Sequence, residues 1–194
     1  SLVLTLTEFP EVEAVQVLIE GSIRDSIAGF GIKETFERPA DANYLAEIDP
    51  NKEVLTVYYS DSNALYLIPV TVNLKRDMSP EERVFEAVTR LINGPSLESD
   101  LVKTIWPDTK IRAIKLDQEN GQLNLDLSED VIGYGGGSTA EMMLINSLLI
   151  TLTGIEGVER VQLLIEGENV GSLPEGTDVS EPLSRPEHIN FINP

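Results

Sequence analysis

The sequence contains no cysteine and one histidine, His188, and these shortages remove most catalytic chemistry. Without a thiol, the chain can form no disulfide, zinc-thiolate site or cysteine nucleophile. A Ser-His-Asp arrangement would have one available base, and that histidine lies in a polar, proline-rich tail, where we expect a solvated imidazole. The most apolar run, 142–152, is too short to cross a bilayer and is interrupted by Asn146, Ser147 and Thr151. We find no catalytic residue set and predict a protein that is not an enzyme.

Positive charge is also scarce. Fourteen Lys and Arg residues face thirty-three Asp and Glu residues, which gives a formal net charge of −19. Such a surface repels nucleic acid and the anionic face of a membrane, so we expect neither as a direct partner. The remaining composition, 41% hydrophobic and 24% charged, is that of an ordinary globular protein. Nothing in it calls for a metal or an organic cofactor.

An internal repeat organises the chain. Thirteen of the first twenty-one residues recur at a constant offset of 146, within the matched pairs 1–7 with 147–153 and 12–21 with 158–167. After a one-residue shift the repeat continues, and its further matched dipeptides are Arg38-Pro39 with Arg185-Pro186 and Asn43-Tyr44 with Asn190-Phe191.

The repeat predicts two domains. Residues 1–44 correspond to the C-terminal third of one unit plus a linker, and 45–194 form a complete second unit with an extended C-terminal tail. We therefore expect the parent protein to continue upstream of the sequence given. The tail, from Glu168 onward, has its own counterpart after Gly21, so we expect it to dock on its own domain.

The complete unit shows strand and helix signals in the order β-β-α-β-β-α-β. Capping boxes at Ser79 and Ser138 open its two helices. Pro69 lacks an amide proton, so its strand is expected at a sheet edge or bulged there. We predict an α+β fold with both helices packed on one face of a mainly antiparallel sheet. The predicted strands are 54–59, 65–74, 111–116, 122–127 and 158–165.

The side chains expected in the core follow from the same periodicity. The first helix places an apolar stripe toward the sheet. Trp106, the only tryptophan, is interpreted as a large core residue beneath a loop in preference to a ligand platform. The stripe of the first helix comprises Val84, Phe85, Val88, Leu91 and Ile92.

The order and spacing of several short motifs resemble the GerM-type sporulation and spore germination domain. The resemblance covers 53–194 fully and 1–44 as a partial copy. Its motifs are 87–95 (AVTRLINGP), 107–110 (PDTK), 123–128 (LNLDLS), 136–141 (GGSTAE), 151–153 (TLT) and 161–167 (VQLLIEG).

That resemblance implies a fold of the ring-building-motif type and a non-enzymatic adaptor or structural role. It implies an extracytoplasmic lipoprotein in the space between mother cell and forespore. There it would help to assemble the secretion-like channel complex that joins the two cells, with other proteins of that complex as partners. Membrane attachment would come only through an N-terminal lipid anchor that the sequence given does not contain.

Three polar clusters could carry chemistry. The glycine-rich run 133–137 precedes a helix and could cradle a phosphate, but no Lys or Arg follows it, and a hinge or tight turn is favoured. Asp126 with 129–130, or Asp61 with Asp77, could act as paired carboxylates, although chance proximity is expected among thirty-three acids. The acidic turn of Asp117, Glu119 and Asn120 matches no calcium-loop spacing.

The second helix gives the more useful signal. Its core stripe is accompanied by Met143 and Ile150 on roughly the opposite face, where a helix covering a sheet should be polar. Leu4 is the repeat equivalent of Ile150, so the feature recurs. We predict that Met143, Ile150 and Leu4 contact another domain or subunit; cover by the docked tail is the competing explanation. The predicted core stripe comprises Met142, Ile145, Leu148, Leu149 and Leu152.

A second function stays open at this point. The loop around Trp106 and the glycine-rich run could form a binding module for an extracytoplasmic small molecule or a cell-wall glycan. A pocket lined by Trp106 and Tyr134 would favour that function, and a flat surface would favour the adaptor. A cluster of buried carboxylates in one cleft would instead favour an enzyme.

Overall fold

A computed structural model shows how these elements are arranged. The chain divides into two compact units, Ser1–Asp41 and Ala42–Pro194. For Leu4, which lies in a helix, only the backbone is described. The residues that the structure describes are 2–7, 9, 11–37, 43, 44, 47, 49–96, 99–133, 135, 137–187, 189 and 190.

The described residues of the first unit form one short helix and four two-residue strands. β1 pairs with β4 and β2 pairs with β3, both antiparallel. Val15 and Ile32 are its buried apolar side chains among the described residues. Its elements are α1 (Leu2–Leu6), β1 (Ala14–Val15), β2 (Ser26–Ile27), β3 (Phe30–Gly31) and β4 (Phe36–Glu37).

The second unit begins with the predicted hairpin. β5 (Glu53–Ser60) and β6 (Leu67–Leu74) pair antiparallel along their whole length. Pro69 causes no register shift, because β6 is an edge strand whose one strand partner among the described residues is β5. Alternate residues of β5 are buried, and Val70 and Leu74 of β6 lie in the same core.

The first long helix, α2 (Pro80–Asn93), has the predicted N-terminal capping box. The Ser79 hydroxyl accepts a hydrogen bond from the Glu82 amide, and the Glu82 carboxylate accepts one from the Ser79 amide. The prediction that Phe85 belongs to the core stripe is wrong, because its side chain is 52% exposed. Ala87, which was not assigned to the stripe, is buried. Ala87 and Leu91 are four residues apart, so they lie on the same face, and Phe85 is turned away from it.

Four strands form a separate sheet in the order β10-β9-β8-β7. β8 and β9 are parallel and the other two pairs are antiparallel. The parallel connection contains a 3-10 helix, Glu129–Ile132, and the second long helix, α3 (Gly137–Leu152). The strands are β7 (Ile111–Asp117), β8 (Gln122–Leu127), β9 (Arg160–Ile165) and β10 (Leu183–Ser184).

The α+β class and the element order are as predicted, but the strands do not form one sheet. The hairpin and the four-stranded sheet are separate because other groups occupy the outer edge of β5. Ser60 exchanges two backbone hydrogen bonds with Val102, at 3.0 and 2.8 Å. The Tyr58 amide donates to the Thr151 hydroxyl of α3 at 3.1 Å. A loop and a helix therefore occupy the outer edge of β5, at which a neighbouring strand would otherwise pair.

Both long helices contact β5; α2 also contacts β7, and α3 also contacts β9. One apolar core lies between these elements. Its fully buried residues include Val57, Leu91, Leu125 and Leu152. Each helix thus packs against both sheets around a single apolar core.

The two copies of the repeat have the same local structure. Gln16 Nε2 donates to the Ile32 carbonyl oxygen at 3.2 Å, and Gln162 Nε2 donates to the Val179 carbonyl oxygen at 2.9 Å. β1 pairs with β4 in the register with which β9 pairs with β10. Matched positions also share a left-handed backbone, with positive φ at Glu20, Gly21, Glu166 and Gly167.

Candidate functional site: the second face of helix α3

The face of α3 that was predicted to bind a partner is not free. Ile150 is 1% exposed, and Met143 is half-buried. Met142, which was assigned to the core stripe, is 55% exposed. The side chain of Leu4 lies outside the described residues, so its role stays a prediction. Ile150 is therefore packed against the chain itself, and its predicted contact with another domain or subunit stays a prediction.

The chain itself covers this face. Arg185, in the tail, donates from Nη1 to the Ile150 carbonyl oxygen at 2.8 Å and to the Thr153 hydroxyl at 3.3 Å. One turn earlier, Ser147 is fully buried and its hydroxyl lies 2.5 Å from that of Thr104 in the loop before β7. Because residues at i and i+3 share a helix face, the tail and this loop together cover the stripe. The competing explanation, cover by the docked tail, is the one that the structure supports.

Glu141 anchors an earlier part of the tail to the opposite side of α3, because it lies nine residues, or about 180° around the helix, from Ile150. Its side chain is buried in the first half of α3, and its two carboxylate oxygens accept hydrogen bonds from the amides of Glu175 and Thr177, both at distances below 3.0 Å. The helix begins at Gly137, one residue before the predicted cap at Ser138. The sequence pattern assigned Glu141 to a capping box and missed its bonds to the tail. A glutamate inside an otherwise apolar helix was the available signal, since buried carboxylates require hydrogen-bond partners.

Further along, the tail docks on its own domain, as predicted, and contacts both sheets. The buried side chain of Gln162 in β9 donates a hydrogen bond to the Val179 carbonyl oxygen of the tail. β10, which also belongs to the tail, pairs with β9 as a short strand. Asn190 then exchanges two hydrogen bonds with the backbone of Leu67 on the outer edge of β6. The tail therefore contacts α3, β9 and β6 in turn, which makes it an integral part of the domain.

Trp106 does not fill the core. Its side chain is 44% exposed and lies beside Gly133, where an added Cβ atom would come within 3.7 Å of the indole. The nearby Thr109 hydroxyl is buried and has no hydrogen-bond partner among the described residues. Tyr134 and Gly136 lie outside the described residues, so the predicted contribution of the glycine-rich run stays untested.

The candidate carboxylate pairs serve the fold. Asp126 accepts hydrogen bonds from the Gly167 amide at 2.8 Å and from Arg112 at 3.3 Å. Arg112 also forms an ion pair with Glu166 at 2.7 Å. Asp130 accepts a bond from the Ser128 hydroxyl. These contacts fasten the end of β8 to β7 and to the turn after β9, and the carboxylates of Asp126 and Asp130 already have structural partners.

Two further aspartates stabilise turns. The Tyr66 amide is the main cause of a lowered pKa at Asp61, whose carboxylate also accepts from the amides of Leu65 and Asn63. The Asn120 side chain has the same effect on the pKa of Asp117. A lowered pKa keeps a carboxylate ionised and makes it a poor general acid near neutral pH.

The remaining sequence candidates add no site. Asp77 bonds through its amide to Glu53, away from the Asp61 turn. His188 lies outside the described residues. In the part of the chain that the structure describes, no group of three or more His, Asp or Glu side chains is placed to hold a metal ion. Nor does this part contain a helix of the length and apolarity needed to cross a membrane.

Comparison with known proteins agrees with this architecture. The family model "Germane: Sporulation and spore germination" matches residues 56–171. The spore germination protein GerM of Bacillus subtilis is 28% identical over 203 aligned residues, which cover 98% of this chain and 54% of that protein. The chain thus spans about half the length of this curated relative.

Two solved structures are similar. The tandem GerMN domains of the B. subtilis sporulation protein GerM match with a TM-score of 0.71 and 26% identity, over 98% of this chain and 68% of that one. The first GerMN domain of the same protein matches with a TM-score of 0.55 and 23% identity, over 69% of this chain and 98% of that one. From its sequence and its fold, the chain belongs to the Germane family of sporulation and spore germination proteins.

Proposed function

We propose that this chain is a non-enzymatic, extracytoplasmic adaptor of sporulation and spore germination. In this role it is anchored as a lipoprotein in the space between mother cell and forespore, where it assembles with the channel complex joining the two cells. The observation that carries the proposal is the match to a tandem-domain sporulation protein over 98% of the chain. The candidate carboxylates Asp126 and Asp61 form hydrogen bonds that stabilise strands and turns. Because they serve the fold, we propose that the protein acts through its surface and not through catalysis.

The same proposal assigns 1–44 to the last third of a first GerM-type domain and 45–194 to a second one. The equivalent hydrogen bonds of Gln16 and Gln162 support this assignment. The shared register of the pairs β1 with β4 and β9 with β10 supports it as well.

Affinity capture of the full-length protein from its host tests the role. Cells are cross-linked during sporulation and during vegetative growth, and the captured proteins are compared. The proposal predicts enrichment of channel-complex proteins in the sporulating sample, and a fluorescent fusion located at the membranes around the forespore. Capture without channel-complex proteins, or a fusion distributed evenly around the mother cell, would contradict it.

The exposure of Trp106 favours a second function, a binding module for a cell-wall glycan or another small molecule. Exposed aromatic rings offer the flat apolar surface on which ligand rings stack. As the only tryptophan, Trp106 reports directly by its fluorescence. Saturable quenching by soluble muropeptides, and loss of binding in Trp106→Ala, would support this function. Fluorescence that stays unchanged at millimolar muropeptide would exclude it.

A further inference from the structure

The outer edge of β7 differs from the other long strand edges of the second unit. On β6, the Asn190 side chain bonds both backbone groups of Leu67, Pro69 has no amide proton, and the Asn43 side chain bonds the Pro69 carbonyl. On β5, Val102 and Thr151 occupy the corresponding positions. The chain therefore closes both edges of the hairpin with its own groups.

β7 is the seven-residue edge strand of the four-stranded sheet. Its hydrogen-bonded strand partner is β8, and no described residue outside β8 bonds its backbone. In an antiparallel edge strand, alternate N–H and C=O groups point away from the partner strand. The register shift between Ile111 and Ala113 marks a bulge at Arg112, so the regular edge spans 113–117. At about 3.4 Å per residue, this edge is about 17 Å long.

Along this edge, the segment 110–117 contains three basic residues and one acidic residue, Asp117. Lys110, Arg112 and Lys115 lie within six residues of sequence and are all exposed, in a chain of net charge −19. Arg112 is engaged by Asp126 and Glu166. Lys110 and Lys115 form no ion pair with any described residue. The edge therefore offers unpaired backbone groups beside cations that are available to a partner.

Basic side chains and a bulge are features by which edge strands avoid pairing with copies of themselves. Two β7 strands side by side would juxtapose two segments in which basic residues outnumber acidic ones, which disfavours a second copy as occupant. An acidic strand would meet the opposite charge and gain from it. The same features that exclude self-pairing thus select for an acidic partner.

We propose that the outer edge of β7 binds an extended acidic segment of a partner protein as an additional strand. The backbone of 113–117 supplies the hydrogen bonds, and Lys115 with Lys110 selects the acidic side chains. The small Ala113 leaves room on the exposed face for a bulky neighbour. This inference rests on the proposed adaptor role and names the chemistry of the partner.

The test uses the purified, isotope-labelled full chain and a capped seven-residue peptide in which Glu alternates with Val and Thr. Nuclear magnetic resonance titration should shift the amide signals of 113–117, and the outward-facing amides of this segment should exchange at least about five-fold more slowly at saturation. Two further peptides serve as probes, one with Lys in place of Glu and one with N-methyl groups on alternate residues. Both should bind at least about ten-fold more weakly, since they lose the charge match and the backbone donors respectively.

The substitution Lys115→Glu should weaken binding of the acidic peptide by a factor of about five or more. Lys33→Glu, an exposed lysine of the first unit with the same change in net charge, should leave it unchanged. Equal binding of the N-methylated peptide would show charge attraction without strand addition and would overturn the proposal, as would shifts outside β7 or no binding at millimolar peptide. Because the experiment needs no sporulating cell, its failure is distinguishable from a failure of the adaptor role.

Discussion

Asn43 and Asn190, equivalent positions of the sequence repeat, place their side-chain amides on the same edge of β6, two residues apart. Asn190 donates to the Leu67 carbonyl at 3.0 Å and accepts from the Leu67 amide at 2.6 Å, while Asn43 donates to the Pro69 carbonyl at 2.8 Å. Both have a positive φ, 54° and 62°, which Asn tolerates better than most residues. The carboxamide of Asn190 thus replaces a neighbouring strand at the edge of the sheet.

Replacing Asn190 with Ala should loosen the end of the tail. The Leu67 amide loses its acceptor, so its hydrogen exchange should accelerate, and the free energy of unfolding should fall by about 1 kcal/mol. Urea denaturation and amide exchange measure the two effects. Asn51→Ala, an exposed position whose side chain anchors no strand, should change neither quantity. Unchanged exchange at Leu67 in Asn190→Ala would argue against tail docking at this edge.

Glu141→Gln should detach the middle of the tail from α3. A carboxamide offers one acceptor oxygen where two amides, those of Glu175 and Thr177, now donate. One donor would then face an NH₂ group, and leaving a buried donor unpaired costs roughly 1–3 kcal/mol. The amides of 175 and 177 should exchange faster than those of β8. The matched control is Glu156→Gln in an exposed loop, and an equal loss of stability in that variant would contradict the anchoring role.

Ile150→Glu should destabilise the domain by roughly 3 kcal/mol or more, because it places a charge in a fully buried site under the tail. Met142→Glu, on the same helix at 55% exposure, should leave the midpoint of thermal unfolding nearly unchanged. Thermal and urea denaturation compare the two variants. Similar stability of both would mean that Ile150 is accessible and would restore the original interpretation of the stripe as a contact surface.

Tyr59 should make stability sensitive to alkaline pH. Burial raises its pKa from 10.0 to about 12, against a smaller lowering effect of Arg90. Between these values the folded state holds a proton that the unfolded state has lost, so stability is complete below pH 10 and declines by roughly 2 kcal/mol as pH rises to 12. Tyr59→Phe removes this decline and loses the hydroxyl bond to the Arg90 carbonyl. Urea midpoints with the same alkaline slope in both proteins would rule out Tyr59 as the cause.

Local patterns predicted most of the fold. The capping box at Ser79, the two hairpins and the repeat depend on short-range signals, and all appear in the structure. The division into two sheets was not predictable, because it depends on Val102 and Thr151 reaching the edge of β5 from distant parts of the sequence. Periodicity could not reveal these contacts.

The candidate site was predicted less well, for a related reason. Helical spacing identified a second apolar face around Ile150 but could not tell a partner protein from the chain's own tail as its cover. The repeated Arg-Pro dipeptide contained the missing information, since Arg185 is the residue that bonds Ile150. Phe85 was assigned to the core from helical spacing and Trp106 from its size, and both are substantially exposed.

Site-specific photo-cross-linking in sporulating cells tests most directly whether this protein acts by touching other proteins. A photoreactive residue is placed in turn at Lys115, Phe85 and Met142, which are exposed, and at Ile150, which is buried. The account predicts cross-links to a channel-complex protein from at least one exposed position, and products from Ile150 that stay within the chain. Cross-links to channel-complex proteins from none of the exposed positions would contradict it.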